Sequence, residues 1–229
     1  LIRLLLSCLM NVLMWKKLIF MKHKFITVEG NIGSGKTSLS RKLSKDFNSE
    51  LILESFSENP FLPKFYKDPQ KYGLSLELFF MSERYHQLKT KWVDNLFLPT
   101  KISDYFFMKS KIFAKTNLKS DELLLFNRLF DIMLSSLPQP SLLIYLHADI
   151  ERLQKNIKKR GREFELDIKD IYLESIEKSY FDYLKKQRQF PALILDVSNV
   201  DFVKNHDIYN NIKALMNKDY NIGLHHIIM

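Results

Sequence analysis

Gly30-Asn31-Ile32-Gly33-Ser34-Gly35-Lys36-Thr37 directly follows Lys24-Phe25-Ile26-Thr27-Val28-Glu29, a short β-branched run that reads as a buried strand. The eight residues fit the Walker A pattern, in which glycines let the backbone turn its N–H groups toward phosphate oxygens. Lys36 supplies a point charge near the β and γ phosphates, and the Thr37 hydroxyl is placed to ligate Mg²⁺. Ser38-Leu39-Ser40-Arg41-Lys42-Leu43 can carry the helix whose N-terminal dipole faces those phosphates. Residues Gly30, Asn31, Ile32, Gly33, Ser34, Gly35, Lys36, Thr37 and Ser38 are therefore expected to grip a nucleoside triphosphate.

Working outward, Leu51-Ile52-Leu53-Glu54 reads as a second strand, and Asn59-Pro60 sets a cap residue before a proline that can open a helix. Leu74, Leu78, Met81, Tyr85, Leu88 and Trp92 recur at steps of four and three, so a helix over residues 73–92 buries one face. Thr100-Lys101-Ile102-Ser103-Asp104 gives a third strand ending in a carboxylate, followed by two helical stretches before Pro138. The fourth and fifth strands are expected at residues 141–147 and 192–197. Apolar strands alternating with helices imply an α/β fold with a five-stranded parallel sheet covered on both faces. Ligands of such sheets collect at the carboxyl ends of the strands, where Glu54, Asp104 and the Walker loop all lie.

The chain has 229 residues, 46% of them hydrophobic, and no Gly/Ser/Pro-rich linker, which implies one large core. Cys8 is the sole cysteine, so no internal disulfide framework exists and a reducing, cytoplasmic setting fits. The net charge is +9, yet the lysines are scattered and not interleaved with base-stacking aromatics, which argues against a nucleic-acid partner. Residues 1–20 are strongly apolar at first but shorter than the roughly 20 apolar residues a membrane span needs, and they show no cleavage signal. They are read as translation upstream of a start at Met21, with the folded domain at 21–217 and a tail at 218–229 that carries His225 and His226.

The loop 30–38, the run Glu58-Asn59-Pro60-Phe61-Leu62-Pro63-Lys64-Phe65-Tyr66, the segment Ile112-Phe113-Ala114 and the stretch Lys159-Arg160-Gly161-Arg162-Glu163-Phe164-Glu165 occur in one order. Together they resemble the deoxynucleoside kinase family, with the bacterial deoxyguanosine and deoxyadenosine kinases as the nearest branch. The resemblance implies a P-loop fold with a short arginine-bearing lid, transfer of the γ-phosphoryl group of MgATP to a deoxynucleoside 5′-hydroxyl, and homodimers built through helices flanking the sheet. It makes Glu54 the general base, Lys36, Arg160 and Arg162 the cations on the transferred phosphoryl group, and Asp104 a Mg²⁺ ligand beside Thr37. Phe113 then stacks on the base, Tyr66 and Glu165 hold the sugar 3′-hydroxyl, and Asp201 and Phe202 pack the donor adenine. The sequence departs from the best-known members in two places: no arginine follows Asp104, and Asn156 stands where a first lid arginine is expected, with Lys155, Lys158 or Lys159 able to replace its charge but not its fork.

Glu77 and Arg84 lie seven apart on the long helix, on one face and roughly 10 Å apart along the axis. Family match has this face reading the base edge, with glutamine where Glu77 stands. A carboxylate only accepts hydrogen bonds, and guanine offers two adjacent donors, N1–H and the N2 amino group, so Glu77 points to deoxyguanosine. Two other readings stay open. A thymidylate-type monophosphate kinase would need arginines near Glu54, and a nucleotide-sensing P-loop protein would bind without turnover.

Overall fold

Phe25–Gly30 (β1) is buried along its whole length, which a strand achieves only when both faces of its sheet are covered. The computed structural model describes residues 22–55, 59–92 and 100–228. The upstream-translation reading of residues 1–20, with its start at Met21, lies outside the described residues, as does Glu58. Around β1 are laid Glu50–Ile52 (β2), Lys101–Ser103 (β3), Leu142–His147 (β4), Pro191–Asp196 (β5) and Gly223–Ile227 (β6), all parallel, in the order β2-β3-β1-β4-β5-β6.

The sheet thus has six strands where the sequence reading expects five. The sixth lies inside the stretch set aside as a tail, so His225 and His226 belong to a strand. It pairs with β5 along one edge only and its side chains are half exposed, so it carries no continuous apolar run to announce it.

Strand side chains alternate between two cores. Ile26, Val28, Ile144, Leu146, Leu193 and Leu195 face Lys36–Asp46 (α1), Ile150–Arg160 (α6) and His206–Leu215 (α8). On the other face, Phe25, Leu143, Tyr145, Ala192 and Ile194 pack against Pro69–Lys91 (α3), Lys109–Asn117 (α4), Ser120–Leu134 (α5) and Asp170–Leu184 (α7). Leu62–Lys67 (α2) closes the near end of α3. The long helix starts earlier than residue 73 because Asp68 caps it, accepting from Lys71 N at 3.2 Å ahead of Pro69. Among the described residues no helix is long and apolar enough to cross a membrane.

Candidate active site

The loop after β1 needs backbone conformations that side chains resist. Gly33 has φ 84°, and a Cβ there would meet the Leu153 carbonyl oxygen at 2.8 Å; at Gly35, with φ 93°, it would meet the Phe202 ring at 2.9 Å. Lys36 folds back over the loop, donating to the Gly30 and Asn31 carbonyls at 2.9 and 2.7 Å. Burial first, and Lys109 second, lower its pKa to about 8. The Thr37 hydroxyl donates to Asp104 Oδ2 at 2.5 Å, while Asp104 Oδ1 accepts from the Glu54 backbone N–H at 2.8 Å. One carboxylate therefore ties the P-loop helix to the end of β2. A hydroxyl and a carboxylate side by side are hard oxygen donors, which fit Mg²⁺ completed by water and phosphate oxygens.

Glu54 lies two residues beyond β2, and its carboxyl group faces the same cavity. Arg84 Nε and a guanidinium NH₂ reach Oε1 at 2.8 and 2.7 Å, and Lys109 Nζ donates to Oε2 at 2.6 Å. Burial alone would raise this carboxyl, but Lys109 and Arg84 outweigh it and hold its pKa at about 2. The arginine missing after Asp104 is thus offset by two cations from two helices. Tyr105, which stands in its place, is buried and donates its hydroxyl to Gln87 at 2.5 Å.

Glu54 lines a cavity whose empty space, open mouth included, is about 780 Å³. Glu77, Arg84, Tyr66, Phe113 and Glu165 all line it, together with Lys36, Thr37, Asp104 and both lid arginines. Glu77 is 1% exposed; its Oε1 accepts from Asn117 Nδ2 at 2.7 Å and its Oε2 has no hydrogen-bond partner among the described residues. Burial raises its pKa to about 7. Phe113 presents its ring beside Tyr180, edge to face at 6.2 Å, and Tyr66 stacks on Phe164 at 6.1 Å.

Helix α6 ends in Lys158-Lys159-Arg160, and Gly161 at φ 71° turns the chain into the lid. Arg160 and Arg162 both pair with Glu165, which is buried against the cavity. Asn156, in place of the first lid arginine, donates to the Gly33 carbonyl at 2.8 Å and so buttresses the loop. Of the three neighbouring lysines, Lys159 lines the groove over the P-loop, whereas Lys155 and Lys158 border a separate groove. Asp201 and Phe202 also line the P-loop groove; Asp201 accepts from the Val203 and Lys204 N–H groups, and the Phe202 carbonyl is fixed by Lys42 at 3.0 Å.

Apart from Gly30 and Asn31, which line neither and offer their carbonyls to Lys36, the site residues expected from the sequence lie around one cavity and the groove beside it. Residues that sequence reasoning missed are Lys109, Asn117 and Glu29. Lys109 precedes Phe113 by one helical turn and lies 5.5 Å from its ring centre, so the two share a face, and that spacing is a signal that could have found it. Glu29 is a carboxylate inside an otherwise apolar strand; it accepts from Phe106 N at 2.6 Å and the Tyr180 hydroxyl at 2.8 Å behind the loop.

A family model described as deoxynucleoside kinase matches residues 26–220. Deoxyguanosine kinase from Bacillus subtilis (strain 168) is 34% identical over 197 residues, covering 83% of this chain and 94% of that protein. Deoxyadenosine/deoxycytidine kinase from the same organism is 30% identical over 198 residues, covering 83% and 90%. The solved structure of deoxyadenosine kinase from M. mycoides with bound dATP superposes with a TM-score of 0.71 at 26% identity, covering 83% of this chain and 99% of that one. The chain belongs to the deoxynucleoside kinase family, whose members are phosphotransferases.

Proposed function

We propose that this chain transfers the γ-phosphoryl group of MgATP to the 5′-hydroxyl of a purine deoxynucleoside, deoxyguanosine foremost. The observation that carries the reading is the shared cavity, lined at once by the phosphate-loop residues Lys36 and Thr37, by Glu54 and by Glu77, whose Oε2 has no partner among the described residues. Glu54 orients the 5′-hydroxyl and accepts its proton as the bond to phosphorus forms. Lys36, Arg160 and Arg162 balance the negative charge on the transferred phosphoryl oxygens. Thr37 and Asp104 hold Mg²⁺, which when bound neutralises triphosphate charge. Glu77 accepts from the base edge, Phe113 lies against the base, Tyr66 and Glu165 hold the sugar 3′-hydroxyl, and Asp201 and Phe202 flank the donor adenine.

The single cysteine fits a reducing, cytoplasmic setting. The protein works as a homodimer: Leu125, Leu129 and Ile132 form an exposed apolar stripe on α5, a helix on the outer face of the sheet layer. Release of ADP from MgATP should be stimulated most by deoxyguanosine in a panel of the four deoxynucleosides. Intact ATP binding with no nucleoside-dependent ADP release would overturn the kinase reading and leave a nucleotide sensor.

A further inference from the structure

Glu77 stands apart from the ion pairs around it. Arg84, two turns along α3, spends Nε and an NH₂ on Glu54 and its NH1 on Ser110 at 2.7 Å, and does not turn back to Glu77. The carboxyl group is left with one amide from Asn117 and one bare oxygen in the cavity wall. A buried carboxyl in that position is completed either by donors that enter with a ligand or by a proton. Each state matches a different purine edge. The ionised group accepts twice, which suits the adjacent N1–H and N2 amino donors of guanine. The protonated group sets an O–H donor beside an acceptor, which suits the N1 acceptor and N6 amino donor of adenine.

We propose that the proton on Glu77 selects the base: its carboxylate form takes deoxyguanosine, its carboxylic acid form takes deoxyadenosine, and the preference between them changes with pH near neutrality. The inference rests on the reading that Glu77 meets the base edge. Burial is the largest influence on the group and raises its pKa to about 7; Arg84, the Asn117 amide and Lys109 pull it down, and Glu54 pushes it up. Of the other groups lining the cavity, Lys36 has its pKa lowered by burial to about 8, an effect common to both substrates. The Tyr66 and Tyr172 phenols are driven further up by burial and stay neutral, and in the lid Arg160 and Arg162 are paired with Glu165. The sign follows: raising pH ionises Glu77 and favours guanine, and lowering it favours adenine. The purines themselves keep their protonation state across this range.

The test is kcat/KM for deoxyguanosine and for deoxyadenosine with saturating MgATP from pH 6 to pH 8.5, in the native chain and in Glu77→Gln. Taking the ratio of the two substrates cancels proton effects on the triphosphate and on Lys36. The deoxyguanosine to deoxyadenosine ratio should climb by up to about tenfold per pH unit in the native chain, the limit for one proton. In Glu77→Gln the ratio should lie toward deoxyadenosine and be flat with pH. A variant with an unchanged substrate profile removes Glu77 from the base edge altogether. A changed variant profile beside a flat native ratio leaves the base reading intact and removes the proton from it. Calorimetry of the native chain at pH 7 in buffers of different ionisation enthalpy needs no variant: deoxyguanosine should release protons on binding and deoxyadenosine should take them up, and equal exchange for the two would overturn the proposal.

Discussion

At Glu54 the fold resolves a conflict between position and basicity. Two cations fix the carboxylate in one orientation, and the same cations make it a poor proton acceptor at rest, with its pKa held at about 2. Phosphoryl transfer tolerates this, because its loose transition state asks for an aligned oxygen more than for a strong base. Because the folded pKa is depressed, the ion pairs stabilise the protein fully above the ordinary carboxylate range, and that contribution is lost as pH falls through about 4 toward 2. Glu54→Gln keeps the shape but cannot take the proton; turnover with deoxyguanosine should fall by on the order of 10²-fold or more while ATP affinity is nearly unchanged. Titrating ATP binding beside steady-state turnover checks this, and a normal rate would unseat Glu54 as the base. Glu54 was legible in the sequence because it follows the apolar run Leu51-Ile52-Leu53, whereas Asp104 follows a short strand with one apolar residue, Ile102, and its role came from the family resemblance. Lys109 was passed over, because a lysine early in a helix is ordinarily a solvated one; its one-turn spacing from Phe113 was the available signal, and the fold brings it 2.6 Å from a residue 55 positions away.

At the scale of elements, the lid is a helix end whose charge is concentrated by its own termination. Gly161 stops α6 in the left-handed region, so Arg160 and Arg162 lie on either side of the turn and converge on one carboxylate, Glu165. That carboxylate holds the guanidiniums beside the cavity, and under the proposed function an incoming phosphoryl group would compete for them with more charge. Arg162→Ala should therefore lower kcat by on the order of 10²–10³-fold with a smaller change in KM for deoxyguanosine, because a cation aimed at developing charge acts mainly in the transition state. A rise in KM with kcat intact would show that the arginine only binds substrate. In the sequence, Lys155, Lys158 or Lys159 could replace the charge, though not the fork, of the lid arginine whose place Asn156 takes. The structure separates the two: Lys159 lines the groove over the P-loop, and Asn156 ties α6 to the Gly33 carbonyl through its amide. Side-chain class could not reveal this, because an amide–carbonyl bond between a helix and a loop depends on their approach.

Over the whole molecule, β1 lies inside the sheet with helices on both faces, a class legible from the Walker loop after β1 and from strands alternating with helices. The edges are harder to read, since an edge element is buried on fewer sides and carries a weaker pattern. The sixth strand is one case: Gly223–Ile227 closes the β5 edge, and Tyr220 beside it donates to the Leu215 carbonyl at 3.2 Å, anchoring residues read from the sequence as a tail. The outer face of α5 is the other. Leu125, Leu129 and Ile132 recur at steps of four and three, as a buried helical stripe would, yet they are 50%, 37% and 71% exposed in the single chain. A self-complementary contact about a two-fold axis would cover them, and burying such a stripe is favourable at roughly 25 cal/mol per Å². Light scattering after size exclusion should give a dimer of the 27.3 kDa chain, and Leu125→Glu with Ile132→Glu should give a folded monomer, because each partner would then have to bury like charges. Residues of this chain line the cavity and the groove over the P-loop, so the monomer should still bind ATP. A native chain that elutes as a monomer at micromolar concentration would remove the homodimer.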